Sequence, residues 1–435
     1  MRIIQITPGS GDNFYCENCL RDAAIVQAWR RLGHDALIVP LYLPLQIDQQ
    51  KVGNLSEIFM GGINVYLQQK SALFRKTPRW LDKLFDRPGL LRWAAHRAGT
   101  TEARDLADTT ISMLQGEQGR QVKELERLVD WLSKEHSADV ICLSNALLAG
   151  LARRLKDVLQ IPVVCLLQDE DEFLDALPEP YLSQAWDTLR SRTGDIDKFI
   201  AVSRHYSDEM QKRLNLKDHE LAVVHPGINS EDITPASGPT PTATIGFLSR
   251  MNTNKGLDIL VEAFIILKNN PKLKNIKLAL AGGKTGYDEP CLDKIKTRLK
   301  SCDLLEDVQF LADFDPSKRH DFLRSLTVLS VPETKSPALG FYILESLAAA
   351  VPVVQPPVGV FCELRELIGE AVTLTEVNNP EALARALEPL VSNPAQAHKL
   401  GRQGRERLAE VLHLESSGGK YVEVFQQVIT KYWKE

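Results

Sequence analysis

Two basic residues in the segment 246–256 (GFLSRMNTNKG) are the first candidates for chemistry in this chain. Arg250 follows a short apolar run, and Lys255 comes directly before a glycine that can start a helix. A guanidinium and an ammonium beside a helix N-terminus can neutralise the oxygens of a diphosphate. Because such residues are also common on protein surfaces, this segment alone does not distinguish a diphosphate site from an ordinary surface.

The segment 337–356 (PALGFYILESLAAAVPVVQP) is the second candidate. Gly340 permits a tight turn before a helical pattern, and the amides of the first helical turn can bind phosphate. Glu345 follows one turn later, where a carboxylate can accept hydrogen bonds from both vicinal hydroxyls of a ribose. The alternative is a buried helix followed by a strand, with Glu345 capping or solvated.

An acidic run, Asp169-Glu170-Asp171-Glu172, follows the apolar segment Pro162–Leu167. Binding sites in parallel sheets form at the carboxyl ends of strands, so Asp169 or Glu170 can orient an acceptor hydroxyl or take its proton. A solvated acidic helix cap explains the run equally well, and both interpretations stay open.

Short apolar runs that alternate with helical patterns must position these residues. They are Ile3–Thr7, Ala36–Pro40, Val140–Leu143, Pro162–Leu167, Phe199–Val202, Ile245–Leu248, Ile276–Ala281, Val308–Leu311, Val328–Val331 and Pro352–Gln355. Runs that are apolar at every position are typical of parallel strands buried on both faces. The pattern predicts an α/β fold with two doubly wound parallel sheets.

A proline- and hydroxyl-rich segment, 234–243 (TPASGPTPTA), predicts the boundary between two domains. Residues 1–235 are expected to form an N-terminal Rossmann-like domain with a helical, basic insertion at about 44–135. Residues 236–415 are expected to form a C-terminal Rossmann-like domain. Two such domains would face a cleft, the usual place for a ligand.

Taken together, these segments resemble the family-4 retaining glycosyltransferases (glycosyl transferases group 1), which have the GT-B fold. Arg250, Lys255 and Gly256 are similar to the family's Arg-x4-Lys-Gly, and Gly340, Glu345 and Pro352-Val353-Val354 to its second motif. Further similarities are His225-Pro226-Gly227-Ile228-Asn229, Ala281-Gly282-Gly283 and Leu32-Gly33-His34-Asp35. The resemblance covers most of the chain outside 44–135 and is strongest between residues 221 and 357.

The resemblance implies transfer of a sugar, with retention, from a UDP-, GDP- or ADP-linked donor to an acceptor hydroxyl. Arg250 and Lys255 would hold the donor diphosphate, together with the amides of Gly340, Phe341 and Tyr342. Glu345 would hold the ribose. The acceptor could be a saccharide, a lipid-linked molecule or a small molecule.

The family also implies a role for the N-terminal loop Gly9-Ser10-Gly11, which would approach the phosphates or the acceptor. Catalysis would come mainly from stabilising the departing diphosphate, and two fixed cations would replace a metal. No metal and no cofactor are therefore expected. The terminal segment 416–435, with a helix predicted at about Lys420–Trp433 after a break at Ser416–Gly419, would pack back on the first domain.

Two positions depart from the family pattern. The first glutamate of the family's Glu-x7-Glu would fall on Pro337, and Glu333, four residues earlier, could substitute for it. The family often has a histidine near the donor sugar, but this chain has Ser144-Asn145 after one strand and Gln168 after the next. The donor half of the site is therefore better marked than the acceptor half.

Residues 70–98 combine eight Lys or Arg with two Asp and several aromatic residues. A basic helix with aromatic residues can lie on an anionic membrane surface. The alternative is an inserted helical subdomain whose apolar face packs on the first sheet. The first interpretation would place the protein peripherally at the inner face of a membrane.

The bulk composition favours a cytoplasmic protein. The net charge is −5, which does not indicate nucleic-acid binding, and no apolar run reaches the roughly 18 residues of a membrane span. The opening MRIIQITPGSG reads as a first strand and not as a signal peptide. Seven scattered cysteines favour a reducing compartment. We interpret Cys16 and Cys19 as two small residues at the start of the first helix; the alternative, a zinc or redox pair, is less favoured.

Two rival functions remain open from the sequence. A GT-B sugar-nucleotide epimerase or phosphorylase would use the same fold without the same acceptor chemistry. A catalytically degenerate protein would bind a nucleotide without turning over a sugar, and Pro337 is the residue that supports it. The two motifs together favour the glycosyltransferase.

Overall fold

The structure is a computed structural model that describes residues 1–9, 16–42, 103–135, 137–283, 288–311 and 318–434. The chain divides into two units. Unit 1 contains the N-terminal strand with Asn18–His225 and Ser417–Glu435, and unit 2 contains Pro226–Ser416. Each unit is built around one sheet.

Both sheets have six parallel strands. Unit 1 contains β1 (Arg2–Thr7), β2 (Asp35–Pro40), β3 (Val140–Leu143), β4 (Val163–Leu167), β5 (Lys198–Ala201) and β6 (Leu221–Val223), in the order β2-β1-β3-β4-β5-β6. Unit 2 contains β7 (Thr244–Leu248), β8 (Lys277–Ala281), β9 (Val308–Leu311), β10 (Val328–Leu329), β11 (Val353–Gln355) and β12 (Val372–Leu374), in the order β12-β11-β10-β7-β8-β9. The predicted α/β fold with two Rossmann-like parallel sheets is confirmed.

Helices connect the strands in both units. Those of unit 1 are Glu17–Arg31, Ala103–Gln115, Val122–Glu135, Ala152–Leu159, Glu170–Leu174, Tyr181–Arg192, Arg204–Leu214 and Leu414–Tyr432. Those of unit 2 are Leu257–Lys268, Glu289–Ser301, Arg319–Arg324, Phe341–Ala348, Val360–Ile368, Pro380–Ser392 and Pro394–Val411. Two of these helices lie in the predicted insertion 44–135, while its basic segment 70–98 lies outside the described residues.

Three aromatic side chains fix the terminal helix against the first helix of unit 1. The ring of Trp29 lies 5.3 Å from that of Phe425 and 6.1 Å from that of Tyr421, both edge-on. All three rings are fully buried, and the Tyr421 hydroxyl donates to the carbonyl of Val224 at 3.2 Å. The apolar face of the terminal helix is therefore part of the core of unit 1.

The break expected at Ser416–Gly419 is wrong, because helix Leu414–Tyr432 runs through it. A Cβ atom added at Gly418 would lie 2.7 Å from the Cβ of Ala28, whereas one at Gly419 would meet nothing within 4 Å. Gly418 thus permits close packing of two helices, and its presence does not mark a helix end. A tertiary contact outweighs the low helix propensity of glycine here.

Candidate functional site

Arg250 comes two residues after β7, and its guanidinium forms a bidentate ion pair with Asp288. Nε and Nη2 each lie 3.0 Å from a carboxylate oxygen of Asp288. The carboxylate is almost fully buried, while the side chain of Arg250 is 41% exposed. Asp288 therefore fixes the orientation of the guanidinium. The second edge of the guanidinium, formed by Nη1 and Nη2, has donors suited to a phosphate.

Lys255 is linked to the second motif through Glu333. Its Nζ lies 2.7 Å from Oε2 of Glu333, and Oε1 of Glu333 accepts from the Tyr342 hydroxyl at 2.8 Å. Lys255 and Glu333 are 78 residues apart along the chain. The structure thus brings together the two segments that the sequence marked as candidates for a diphosphate site.

Gly256, directly after Lys255, permits the backbones of these segments to touch. Its φ is +71°, and a Cβ atom there would lie 1.9 Å from the carbonyl oxygen of Pro332. Nearby, the amide of Thr334 donates to the carbonyl of Asn254 at 3.4 Å. Only glycine satisfies both the left-handed conformation and the contact.

Gly340 precedes helix Phe341–Ala348 with φ +66° and ψ +47°. The helix begins at the next residue, and its N-terminus carries a partial positive charge that favours an anion. Tyr342, in the first turn of this helix, is the residue whose hydroxyl contacts Glu333. The cation Lys255 is therefore connected to the first turn of the helix by a single intervening carboxylate.

Glu345 is buried in an ion pair that the sequence did not indicate. Its Oε1 accepts from Nε of Arg319 at 2.6 Å, and Nε2 of His320 lies 3.5 Å from the same oxygen. Only 1% of the Glu345 side chain and 7% of the Arg319 side chain are exposed. Arg319 therefore orients the carboxylate, as a carboxylate that accepts from a diol requires.

Pro337, at the position of the family's first glutamate, packs against the start of the next helix. Its carbonyl accepts from the amide of Val360 at 3.1 Å, and a Cβ atom on Gly359 would lie 2.5 Å from the same oxygen. The carboxylate nearest in sequence, Glu333, is engaged by Lys255 and Tyr342. This part of the loop is held by packing and backbone hydrogen bonds.

In unit 1, Glu170 is a buried connector of three chain segments. Its Oε1 accepts from the amide of Ala146, and its Oε2 accepts from the amide of Gln168 and from the Tyr206 hydroxyl, each at 2.8 Å. Burial raises the pKa of Glu170 to about 7, although these hydrogen bonds favour the ionised form. The adjacent Asp169 is half-buried with φ +52°, a strained conformation for a non-glycine residue.

Arg21, a fully buried residue of the first helix, donates hydrogen bonds to the residues that directly follow the neighbouring strands β3 and β4. Its guanidinium donates to the Ser144 carbonyl at 2.9 Å, to the Gln168 side chain and to its neighbour Asp22. Several buried atoms of unit 1 have no hydrogen-bond partner within the described residues: both amide atoms of Gln5, Oγ1 of Thr7, and, on two partners of Arg21, Oδ2 of Asp22 and Nε2 of Gln168. Sequence reasoning missed this cluster, since a helix arginine usually reads as solvated.

The remaining predicted residues are placed as follows. Gly9 has φ +72°, whereas Ser10 and Gly11 lie outside the described residues. Cys16 comes directly before helix Glu17–Arg31 and Cys19 lies in its first turn, and neither forms a disulfide. Within the described ranges, no three His, Cys, Asp or Glu side chains are grouped as a metal site, and no helix is long and apolar enough to cross a membrane.

Two family models match the chain. The model of group 1 glycosyl transferases matches residues 230–407, and the model of glycosyltransferase family 4 matches residues 95–232. The fold defines an α/β protein of two Rossmann-like units. The chain belongs to the group 1, family 4 glycosyltransferases, so the family named from the sequence is confirmed.

Curated relatives match over part of their length. D-inositol 3-phosphate glycosyltransferase of Streptomyces avermitilis is 28% identical over 221 residues, which cover 47% of each chain. Lipopolysaccharide core biosynthesis mannosyltransferase LpcC of Rhizobium leguminosarum bv. viciae is 26% identical over 236 residues, 54% of this chain and 65% of that protein. The chain spans about half the length of the D-inositol 3-phosphate glycosyltransferases it matches.

Solved structures match over nearly the whole chain. Sucrose-phosphate synthase of Thermosynechococcus elongatus has a TM-score of 0.70 at 16% identity and covers 99% of this chain and 100% of its own. HepE of Anabaena, in complex with UDP and glucose, has a TM-score of 0.67 at 13% identity and covers 98% and 100%. These likenesses establish the GT-B fold.

Proposed function

We propose that this protein transfers a sugar, with retention, from a nucleotide-diphosphate sugar to the hydroxyl of an acceptor. The observation that carries the proposal is the 2.7 Å contact between Lys255 and Glu333, which joins the two motif segments in unit 2. Through this contact, Lys255 and the N-terminus of helix Phe341–Ala348 contribute to one anion-binding site. Family membership supports the reaction class.

In this proposal each group has a separate task. Arg250 and Lys255 neutralise the diphosphate as it departs, so the transition state gains more from them than the ground state does. The amides of Gly340, Phe341 and Tyr342 add donors, and Glu345 accepts from the ribose diol. Because two fixed cations make a metal unnecessary, we propose a metal-independent reaction. The cytoplasmic location that we propose is supported by the seven scattered cysteines of the sequence.

On the acceptor side, the hydrogen bonds of Glu170 favour a supporting role for it, while Asp169 is the carboxylate we propose to orient the acceptor hydroxyl. The acceptor is a saccharide, a lipid-linked molecule or a small molecule. The names of two relatives, which act on an inositol phosphate and in lipopolysaccharide core synthesis, support polyol and lipid-linked acceptors for the first trials.

A thermal-shift screen tests the donor proposal. Purified protein is melted with UDP, GDP, ADP and their common sugar conjugates, in the presence of a metal chelator. A ligand that binds only the folded state raises the melting temperature, so one nucleotide series should give a clear, concentration-dependent shift. The absence of any shift would contradict the proposal.

A second function, nucleotide binding without sugar turnover, is favoured by one observation, the proline at position 337. The donor conjugate that gives the largest shift is therefore incubated with the protein and the candidate acceptors. Release of the nucleoside diphosphate supports the transferase. Binding without release in any acceptor trial supports the degenerate protein.

A further inference from the structure

We infer that Glu333 is a positioning residue for the donor diphosphate, which holds the ammonium of Lys255 in place and acts only through it. This inference rests on the proposed function. It assigns a task to a carboxylate four residues before Pro337, outside the motif positions of the family. The alternative, in which Glu333 itself contacts the donor sugar in place of the missing glutamate, makes a different and measurable prediction.

The hydrogen bonds of Glu333 are the first support. Oε2 lies 2.7 Å from Nζ of Lys255, and Oε1 accepts from the hydroxyl of Tyr342 at 2.8 Å. The side chain is 3% exposed. Both carboxylate oxygens therefore have protein donors, which favours a positioning role for Glu333 over a direct contact with the ligand.

The backbone on either side of the pair is the second support. The Gly256 backbone lies against the Pro332 carbonyl so closely that a Cβ atom would come within 1.9 Å of the oxygen. The amide of Thr334 donates to the carbonyl of Asn254. The residues that precede and follow Lys255 and Glu333 are thus held together by the main chain, so the ion pair is preorganised and does not depend on a chance meeting of two long side chains.

The chemistry of lysine explains why such a partner is needed. Lys255 carries its charge on a flexible stem of four carbons, and fixing such a side chain costs conformational entropy. Its side chain is only 15% exposed, and an ammonium at that depth without a counter-charge would turn toward water. An ammonium can donate three hydrogen bonds, so the bond to Glu333 is compatible with another to a phosphate oxygen.

A double-mutant cycle tests the inference. The dissociation constant of the nucleoside diphosphate that gives the largest thermal shift is measured by calorimetry for wild type, Lys255→Ala, Glu333→Ala and the double variant. We expect Glu333→Ala to weaken binding about tenfold, the effect of about one charge-assisted hydrogen bond. In the Lys255→Ala background, the same substitution should change affinity less than about twofold, because its target is gone.

Two results would overturn the inference. Additive losses in the cycle would mean that Glu333 contacts the ligand itself, and unchanged or tighter binding in Glu333→Ala would mean that it competes with the phosphate for Lys255. If wild type binds no nucleoside diphosphate, or Lys255→Ala binds it as well as wild type does, the proposed function fails first. Failure of the cycle alone leaves the proposed function intact.

Control variants separate positioning from general destabilisation. Glu262→Ala removes a carboxylate of helix Leu257–Lys268 that pairs with Arg298 of helix Glu289–Ser301 at 2.7 Å. This variant should leave the dissociation constant of the nucleoside diphosphate unchanged. Because Glu333→Ala can destabilise unit 2, the cycle is repeated with Glu333→Gln, which keeps the shape but removes the charge. Glu333→Gln should show a smaller loss in affinity and the same dependence on Lys255.

Discussion

Arg319 and Glu345 form an ion pair that is almost completely withdrawn from water, with 2.6 Å between Nε and Oε1. Two charges this deeply buried attract each other strongly enough to offset part of the cost of leaving water. Glu345 is also the carboxylate we propose for the donor ribose. The pair therefore couples the stability of unit 2 to the geometry of its proposed site.

Arg319→Met should destabilise unit 2 by about 3–5 kcal/mol, because it removes the guanidinium that pairs with the buried carboxylate of Glu345. Arg324→Met, in the same short helix, removes an exposed pair with Asp321 and should change the free energy of unfolding by less than about 1 kcal/mol. Urea unfolding followed by circular dichroism measures both. Equal effects of the two substitutions would contradict the role assigned to the buried pair.

Arg250→Ala should weaken binding of the nucleoside diphosphate about 10- to 100-fold, because it removes a charge-assisted contact to phosphate. Arg298→Ala is the matched control, since Arg298 forms a comparable two-bond ion pair with Glu262 on other helices of unit 2. Calorimetric titration of both variants provides the comparison. A similar affinity for the two would remove Arg250 from the proposed diphosphate site.

Unit 1 should become less stable as the pH rises toward and through 7, because of Glu170. Its pKa is about 7 in the folded protein, through burial, against 4.5 as the ordinary value. The native state therefore binds the proton more tightly, so this contribution is fully present below about pH 4.5 and is lost as the pH rises through 7. The difference corresponds to about 3 kcal/mol.

Chemical unfolding of wild type and Glu170→Gln between pH 5 and 8 isolates this effect. The contributions of the other titrating groups cancel in the difference between the two free energies of unfolding. The stability of wild type relative to the variant should fall with rising pH. A flat difference for Glu170→Gln would mean that Glu170 is ionised throughout this range.

The adjacent residues Gly418 and Gly419 should respond in opposite ways to alanine. Gly418→Ala inserts a methyl group 2.7 Å from the Cβ of Ala28 and should destabilise unit 1 by about 1–3 kcal/mol. Gly419→Ala meets no atom within 4 Å and should stabilise the helix by about 0.5–1 kcal/mol. Melting temperatures of the two variants that shift in the same direction would contradict the close helix packing.

The strands could be predicted because the physics that forms them is local. Strand β4 (Val163–Leu167) is buried at every position, and its unbroken apolar sequence already requires two covered faces. The helix end expected at Ser416–Gly419 failed for the opposite reason. Gly418 does not end the helix but lets a second helix pack closely against it, because Ala28, which lies far away in the sequence, is its neighbour in the fold.

The sequence by itself determined the α/β order of the chain and pointed to Arg250 and Lys255 as residues of the proposed diphosphate site. Only the tertiary structure decided their partners. Asp288 lies 38 residues from Arg250, Glu333 lies 78 from Lys255, and Arg319 lies 26 from Glu345. Hydrophobic periodicity and glycine positions reflect local backbone preferences, whereas the choice of a counter-ion depends on which loops the folded sheet brings within about 3 Å, the reach of a hydrogen bond.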